Sequence, residues 1–436
     1  MSGIEIGIAA IVALLGLITL GMPIAVAMLA VSFAGVAMIR NDTVALRMIG
    51  AVANDSIREY LFAVVPLFVL MGLLVTVSGV GKDTFELFQR LLARVKGGLG
   101  IATVFANAIF ASITGISIAS ASVFARVAVP EMVRHGYTRS FATGVVAGSS
   151  VLGMLIPPSL LMIVYAVLAE ESVGRMFLAG IGPGVLLVAG YTALIMLLAR
   201  RRPEMVFAAQ AEQTAEPLSA RLAVKMGSPI VILVGLVLGG LYGGFFNPTE
   251  AGAVGAFGAL VIALLRRSLT PRSFWSLLVE TGRITVSVLF LIMAASFFSR
   301  MLAMSGLPNH LAELLLSSSI GPYGFLVIYL VLVIVLGFLI DSISIMLILL
   351  PVALPIAGEM QFDLIWFGVL TVFAVEIGLL TPPFGLSVFT IKAALDDDTL
   401  SVGEIFRGAL PFVGAMLLCL IVLIVFPSIS TFIARS

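Results

Sequence analysis

The chain has 436 residues, of which 61% are hydrophobic and only 11% charged, with a formal net charge of +1. Soluble domains carry about 25% charged residues, so most of this surface faces something other than water. The near-zero charge gives nucleic acid no basic patch to bind. The single cysteine, Cys419, excludes an internal disulfide framework and a cysteine-rich metal site.

Apolar runs recur along the whole chain, many of them about long enough to cross a bilayer as helices, which takes roughly 20 residues. In chain order the predicted crossings are 4–20, 22–39, 61–80, 139–168 and 176–199, then 229–245, 248–265, 284–304, 364–393 and 408–430. No basic segment precedes the first run, so it reads as a retained helix rather than a cleaved signal. Between the two sets lies a polar linker, 200–228, with Arg200-Arg201-Arg202, Glu204, Gln210, Glu212, Gln213 and Glu216, and a short amphipathic helix from Ala220 to Met226.

One ungapped offset of 225 residues superimposes the unusual features of the two sets. Pro23 falls on Pro248, Ser117-Ile118 on Ser342-Ile343, Pro130 on Pro355, Gly153 on Gly378 and Pro157-Pro158 on Pro382-Pro383. Leucine matches would mean nothing in so apolar a chain, but prolines and glycines sharing one offset mark a repeat. The expected fold is therefore an all-α polytopic membrane protein of two repeats, 1–199 and 229–436. Each has five crossings and one stretch that turns back on itself, at 99–132 and 323–357. Five is odd, so the second repeat enters the bilayer inverted, as in many secondary transporters. With the arginine-rich linker in the cytoplasm, Arg40, Arg47, Arg58, Arg175, Arg300 and Arg435 lie outside. The other eighteen of the 24 Lys and Arg lie inside, the bias that topology rules expect. Both termini are then on the outer side.

Inverted-repeat transporters place their site at the midplane, where interrupted helices meet. This chain offers four interruptions. Two are hairpin tips, Thr114-Gly115-Ile116-Ser117 and Asp341-Ser342-Ile343-Ser344. Two are broken helices, around Ser149-Ser150, Gly153 and Pro157-Pro158, and around Glu376, Gly378, Thr381 and Pro382-Pro383. Glycine permits a broken backbone, and paired prolines remove two amide donors, freeing carbonyls. Hydroxyls and freed carbonyls suit a hard cation such as sodium, while nearby helix N-termini favour an anion. Thr114, Gly115, Ser117, Ser149 and Gly153 are the candidates for one cation site, with Ser120 and Ser150 in reach. Asp341, Ser342, Gly378 and Thr381 are the candidates for its mirror, with Ser344. Ser117, Ser150, Ser342, Pro157 and Pro382 are the candidates for contact with the substrate. Small residues also serve close helix packing, and that alone explains any single serine.

Acids inside apolar stretches are functional candidates. Asp341 either ligates a cation or caps the following helix. Glu376 either belongs to the site or pairs with a basic group such as Lys392 or Arg126. Glu250, after Asn247-Pro248-Thr249, reads as an ordinary helix start. The sequence Gly79-Val80-Gly81-Lys82-Asp83-Thr84 lacks the first glycine of a phosphate loop, Thr76 standing there, and carries Asp83 where Ser or Thr belongs. The two histidines, His135 and His310, both read as loop residues, and no nucleophile–base set suggests an enzyme. A membrane enzyme acting on lipids would need catalytic polar residues near one interface, and none stand out.

The run Gly115–Met132 resembles the first hairpin of TRAP transporter large permease (DctM-like) subunits. Ile156-Pro157-Pro158-Ser159, the stretch Phe177–Gly184, Asn247–Ala251 and Glu376–Pro383 are similar to further signatures of that family, in the family's order over essentially the whole chain. The resemblance implies an inner-membrane, elevator-type transporter of the ion-transporter superfamily. Its partners would be a small membrane subunit and a periplasmic binding protein. It would import a small organic acid, such as a C4-dicarboxylate or sialic acid, with sodium as coupling ion and no other cofactor. A stand-alone sodium/organic-anion symporter of the same superfamily is the alternative. Family hairpins often read Gly-Ser-Ser where this chain has Gly115-Ile116-Ser117, which puts one hydroxyl of the first cation site in doubt.

Overall fold

The computed structural model describes residues 1–208, 219–317, 320–383 and 385–435. Gln210, Glu212, Gln213 and Glu216 of the linker therefore lie outside the described residues. Nearly everything described is helical, as hydrocarbon demands, because only there are all backbone groups satisfied within one segment. Among the described residues no strand forms beyond an isolated bridge between Tyr137 and Phe207.

Helix α1 (Gly3–Thr19) starts at a capping box, with Glu5 N donating to Ser2 Oγ and Ser2 N donating to Glu5 Oε2. It packs on α2 (Ile24–Ile39), which begins after Pro23. The amphipathic α3 (Asp42–Arg58) and a 3-10 turn, Tyr60–Ala63, lead into α4 (Val64–Val77). At Gly79 the chain turns by 62° into amphipathic α5 (Val80–Leu91). The first hairpin is α6 (Gly98–Thr114) and α7 (Ser117–Arg134). The first broken helix is α8 (Arg139–Ser150), α9 (Leu152–Leu155) and α10 (Leu160–Leu168), bent by 41° at the break. The long α11 (Val173–Arg201) and short α12 (Pro203–Val206) end the first half.

The second half opens with α13 (Ala220–Val234), which runs through a π-helical turn, Gly235–Gly239, into α14 (Gly240–Tyr242). Helices α15 (Pro248–Leu265), α16 (Pro271–Ser305) and α17 (Leu307–Ser317) follow. The second hairpin is α18 (Gly321–Gly337) and α19 (Ser342–Glu359). The second broken helix is α20 (Leu364–Leu380) and α21 (Leu386–Leu395), followed by α22 (Val402–Val425) and α23 (Ser428–Arg435). Asn247 and Glu250 form a capping box at the start of α15, which accounts for Glu250.

Five helices depart from the expected pattern. Helices α3, α5 and α17 carry too much polar surface to register as apolar runs, and α17 takes His310 out of its expected loop. The stretch Ala220–Met226 is not a separate amphipathic helix but the first turns of α13, which continues through Gly227-Ser228-Pro229 into the following apolar residues. Helix α16 begins at Pro271, well before the expected 284, since Thr270 caps it and Pro271 suits a first helical turn.

By length and composition six helices among the described residues can cross a bilayer: Val173–Arg201, Arg221–Tyr242, Pro248–Leu265, Pro271–Ser305, Ser342–Glu359 and Val402–Val425. Two bent pairs, α4 with α5 and α8–α9 with α10, would raise that to eight. Exposed apolar side chains crowd the perimeter, for example Val231 on α13, Val286 on α16, Val327 on α18 and Leu418 on α22. Helices α6, α8, α10 and α20 are buried almost all round, the mark of interior helices. The interrupted segments are thus in the middle of a polytopic membrane protein.

A polar loop ties the two broken helices together at one end. Arg139, the first residue of α8, donates to Thr399 at 2.8 Å and pairs with Asp397 at 3.4 Å, while Lys392 Nζ donates to the Asp397 carbonyl. Hydrogen bonds from the Thr399 hydroxyl and amide hold the Asp397 carboxyl below its ordinary range, and Arg139 and Lys392 add to this. A depressed folded value stabilises the fold above the unfolded value, about 3.9, and that stabilisation disappears as pH falls through the folded value. Asp397→Asn is expected to lower the unfolding midpoint at pH 7–8, where that stabilisation is fully present, and to flatten its acid limb, so that variant and wild type converge at low pH. An unaltered acid limb would refute this.

Candidate functional site

The first hairpin tip rests directly on the first helix break. Gly115 ends α6 with φ +64°, and a Cβ there would lie 2.5 Å from the Pro158 carbonyl oxygen. Its own carbonyl accepts from Leu160 N at 3.3 Å. On the other side, a Cβ on Gly153 would come within 3.0 Å of Ser117 N. Glycine at 115 and 153 is what lets two irregular backbones touch. Pro157 and Pro158 have no N–H, so the carbonyls of Gly153 and Met154 lose the partner a continuous helix would supply. Ser159 Oγ donates to Met154 O at 2.5 Å, which leaves Gly153 O without that partner. Residues of α4, the tip and Pro158–Leu160 enclose a cavity of about 10 Å³, the room of about one water.

The hydroxyls of this region are buried and directed. Thr114 donates to Phe110 O at 3.0 Å, Ser149 to Val145 O at 2.7 Å and Ser150 to Ala147 O at 2.8 Å. A hydroxyl that spends its proton on its own helix keeps lone pairs for another acceptor-seeking group, a cation included. The structure therefore brings Thr114, Gly115, Ser117, Ser149, Ser150, Gly153 and Pro157 into one buried region of α6–α10.

Asn107, not anticipated from the sequence, joins its parts. Its amide nitrogen donates to Ser149 Oγ at 2.5 Å, and its amide oxygen accepts from Ser120 Oγ at 2.6 Å. All three residues are fully buried, so Asn107 on α6 ties the hairpin's second arm, α7, to the broken helix α8. The available signal was an amide inside an apolar stretch. The 225-residue offset hid it, because its counterpart is Leu332. Asn107→Ala is expected to cost about 1–3 kcal/mol by opening a void and losing two buried hydrogen bonds. Ser120→Ala should be close to silent in that background, since the two act as a unit. Additive effects in denaturant unfolding would contradict the network.

The second tip and break are built differently. Pro382 and Pro383 free the carbonyls of Gly378 and Leu379, and Thr381 N takes Gly378 O at 3.0 Å. Thr381 Oγ1 donates to Ile377 O at 2.7 Å. Gly378 lies against Gly337 of α18, where a Cβ on either would meet the other's Cα at 2.6 Å. Asp341 is exposed and caps α19, accepting from Ser344 N at 3.2 Å and Ser344 Oγ at 2.5 Å. Of the two readings for Asp341, capping is the one its geometry displays. Ser342 and Ser344 are buried, whereas Pro382 is exposed and Thr381 half-buried. Among the described residues no hydrogen bond joins the Asp341 tip to Thr381, so these candidates form a looser group than the first.

Glu376 is the one charged-type residue that is buried among the described residues. It is fully buried on α20, and neither carboxylate oxygen has a hydrogen-bond partner. The Ser117 hydroxyl, at the start of α7, is the polar side chain that acts on it, though short of good hydrogen-bond geometry. Pairing with Lys392 or Arg126 is overturned. Lys392 turns to the Asp397 carbonyl, and Arg126 is exposed on α7. A lone carboxylate deep among apolar helices is costly, and such groups mark transport pathways.

A helical membrane protein with interrupted segments at its core is the architecture of a transporter. Its fold is similar to that of the crystal structure of the Alcanivorax borkumensis YdaH transporter, with a TM-score of 0.58 and 16% sequence identity, covering 83% of this chain and 85% of that one. Residues 11–429 match the family described as tripartite ATP-independent periplasmic transporter, DctM component. The chain is 34% identical over 379 residues to the C4-dicarboxylate TRAP transporter large permease protein DctM of Pseudomonas aeruginosa, covering 86% of each. It is 29% identical over 419 residues to the sialic acid TRAP transporter large permease protein SiaM of Vibrio cholerae, covering 95% of each. It is also 29% identical over 424 residues to the ectoine TRAP transporter large permease protein TeaC of Halomonas elongata, covering 96% of this chain and 97% of that one. The chain belongs to the DctM family of TRAP transporter large permeases.

Proposed function

We propose that this chain is the translocating subunit of a tripartite importer for a small organic acid in a bacterial inner membrane. It would work with a small membrane subunit and a periplasmic binding protein, and sodium would drive it. The observation that carries the reading is the buried apposition of Gly115 and Ser117 on Gly153 and Pro158, with Glu376 beside Ser117. Its hydroxyls and freed carbonyl, with the Glu376 carboxyl from α20, are a donor set of the kind sodium takes, which supports the reading. Ser149 and Ser150 extend that set. Asp341, Ser342, Gly378 and Thr381 would supply the mirror site, and Ser117, Ser150, Ser342, Pro157 and Pro382 would face the substrate.

Two inverted repeats moving as an elevator are part of this proposal. Helix α7 and helix α19 have bounds that differ by 225 at both ends, and so do Arg139–Leu155 and Leu364–Leu380, which favours the repeat. In this reading the hairpins and broken helices travel together, and both termini are periplasmic. The substrates named for the relatives, a C4-dicarboxylate, a sialic acid and ectoine, all carry a carboxylate group.

The test is uptake of labelled succinate, N-acetylneuraminate and ectoine into proteoliposomes holding this chain and its small subunit. Uptake is expected only with the cognate binding protein and an inward sodium gradient. Uptake by the chain alone would establish a stand-alone symporter instead, and uptake indifferent to sodium would remove the cation sites.

A further inference from the structure

A second recess lies at one end of the helix bundle, away from the interrupted segments. It has a volume of about 770 Å³ and opens between the α4–α5 turn, the first half of α13 and the end of α15. Its wall is apolar, with Leu222, Met226 and Ile232 from α13 and Ile262 and Leu265 from α15. Ile232 is 61% and Leu265 79% exposed, so the wall is open to its surroundings.

The rim carries charge of one net sign. Asp83 is neutralised by Arg266 at 2.7 Å, and Arg266 also donates to the Ser78 carbonyl at 3.3 Å. Glu86 is neutralised by Arg90 at 2.8 Å. Lys82 and Lys225 line the same recess, are exposed, and have no salt bridge among the described residues. Two positive charges therefore remain at the mouth. Their level is set by the apolar spans, since one begins at Arg221, a turn before Lys225, and another ends at Leu265, just before Arg266. Basic groups at the ends of apolar spans sit where lipid phosphates lie.

We propose that this recess binds one anionic phospholipid, with its phosphate between Lys82 and Lys225 and its acyl chains along Leu222, Ile232, Ile262 and Leu265. An amphiphile fits both features at once. A free anion would leave the apolar wall bare, and a neutral lipid would leave both lysines unpaired. Helix α5, which carries Lys82, packs on α13 with one side and on the hairpin arm α6 with another. The bound lipid therefore sits where the first hairpin meets the perimeter.

The proposal is tested on the full chain in neutral detergent by native mass spectrometry, with dioleoyl phosphatidylglycerol titrated against dioleoyl phosphatidylcholine. Retention of the anionic lipid is expected to exceed that of the neutral lipid by about ten-fold or more. Lys82→Gln and Lys225→Gln should each lower it about five-fold, and together bring the two lipids level. Ile262→Trp, which fills the wall and leaves both lysines, should lower anionic-lipid retention without changing the unfolding midpoint in lipid-free detergent. Equal retention of the two lipids, or a double lysine variant that keeps the wild-type preference, overturns the proposal. Displacement by millimolar inorganic phosphate would make the recess a simple anion site and also overturns it. So does loss of the bound lipid on adding the small membrane subunit, which would make the recess a protein interface.

Discussion

Gly115→Ala is expected to eliminate measurable uptake while the protein still inserts and folds. Two costs coincide at this residue. Its φ of +64° lies in the left-handed region, which costs a residue with a Cβ about 1–2 kcal/mol. The new methyl would also stand 2.5 Å from the Pro158 carbonyl oxygen, a backbone atom with no rotamer to escape into. Relief requires the hairpin tip to lift off the break, which separates Ser117 from Gly153. The total is about 2–4 kcal/mol, read as a lower unfolding midpoint. Gly306→Ala is the control, since Gly306 has φ +72° and nothing within 4 Å of its added Cβ. It should cost only the conformational part, about 1–2 kcal/mol, and leave uptake intact. Wild-type uptake in Gly115→Ala would mean that the contact between tip and break is not needed for transport.

Glu376→Gln is expected to move stability and activity in opposite directions. The amide keeps the shape of the side chain and removes a carboxyl group that has no hydrogen-bond partner in the interior. An isolated buried acid costs folding free energy, so its replacement by a neutral group of similar volume is expected to be neutral or stabilising, by about 1–3 kcal/mol. Uptake should fall ten-fold or more, because Glu376 is the one fully buried acid among the described residues and the Ser117 hydroxyl of the first hairpin tip acts on it. A site that sacrifices stability for function shows this pattern. Ser117→Ala in the Glu376→Gln background should cost little further uptake, since neighbouring groups in one site couple. Unchanged uptake with raised stability would remove Glu376 from the transport cycle. Lowered stability with lowered uptake would make it a structural residue.

The interruptions were legible in the chain because their causes are local. Pro157-Pro158 and Pro382-Pro383 cannot donate to a helix wherever they stand, and Gly115 tolerates a positive φ without help from neighbours. Helices α3, α5 and α17 were missed for an equally local reason, since amphipathic surface helices show no continuous apolar run. Asn107 was visible as an oddity but not as a bridge, because Ser120 and Ser149 reach it from other helices, 13 and 42 residues away. Glu376 was singled out correctly as a buried acid and wrongly offered Lys392 or Arg126 as partners. Which side chains surround it depends on how α9, α11 and α22 pack against α20, and no spacing encodes that.

The sequence by itself determined the membrane class, the positions of the breaks and their offset of 225, and the cap at Asn247–Glu250. Each follows from the covalent properties of a few adjacent residues. Tertiary structure alone decided that the first tip closes on its break while the second leaves Pro382 exposed. It also left Glu376 unpaired and set Lys82 and Lys225 around one recess. Those outcomes depend on contacts between helices far apart in the chain, where packing and desolvation outweigh any local preference.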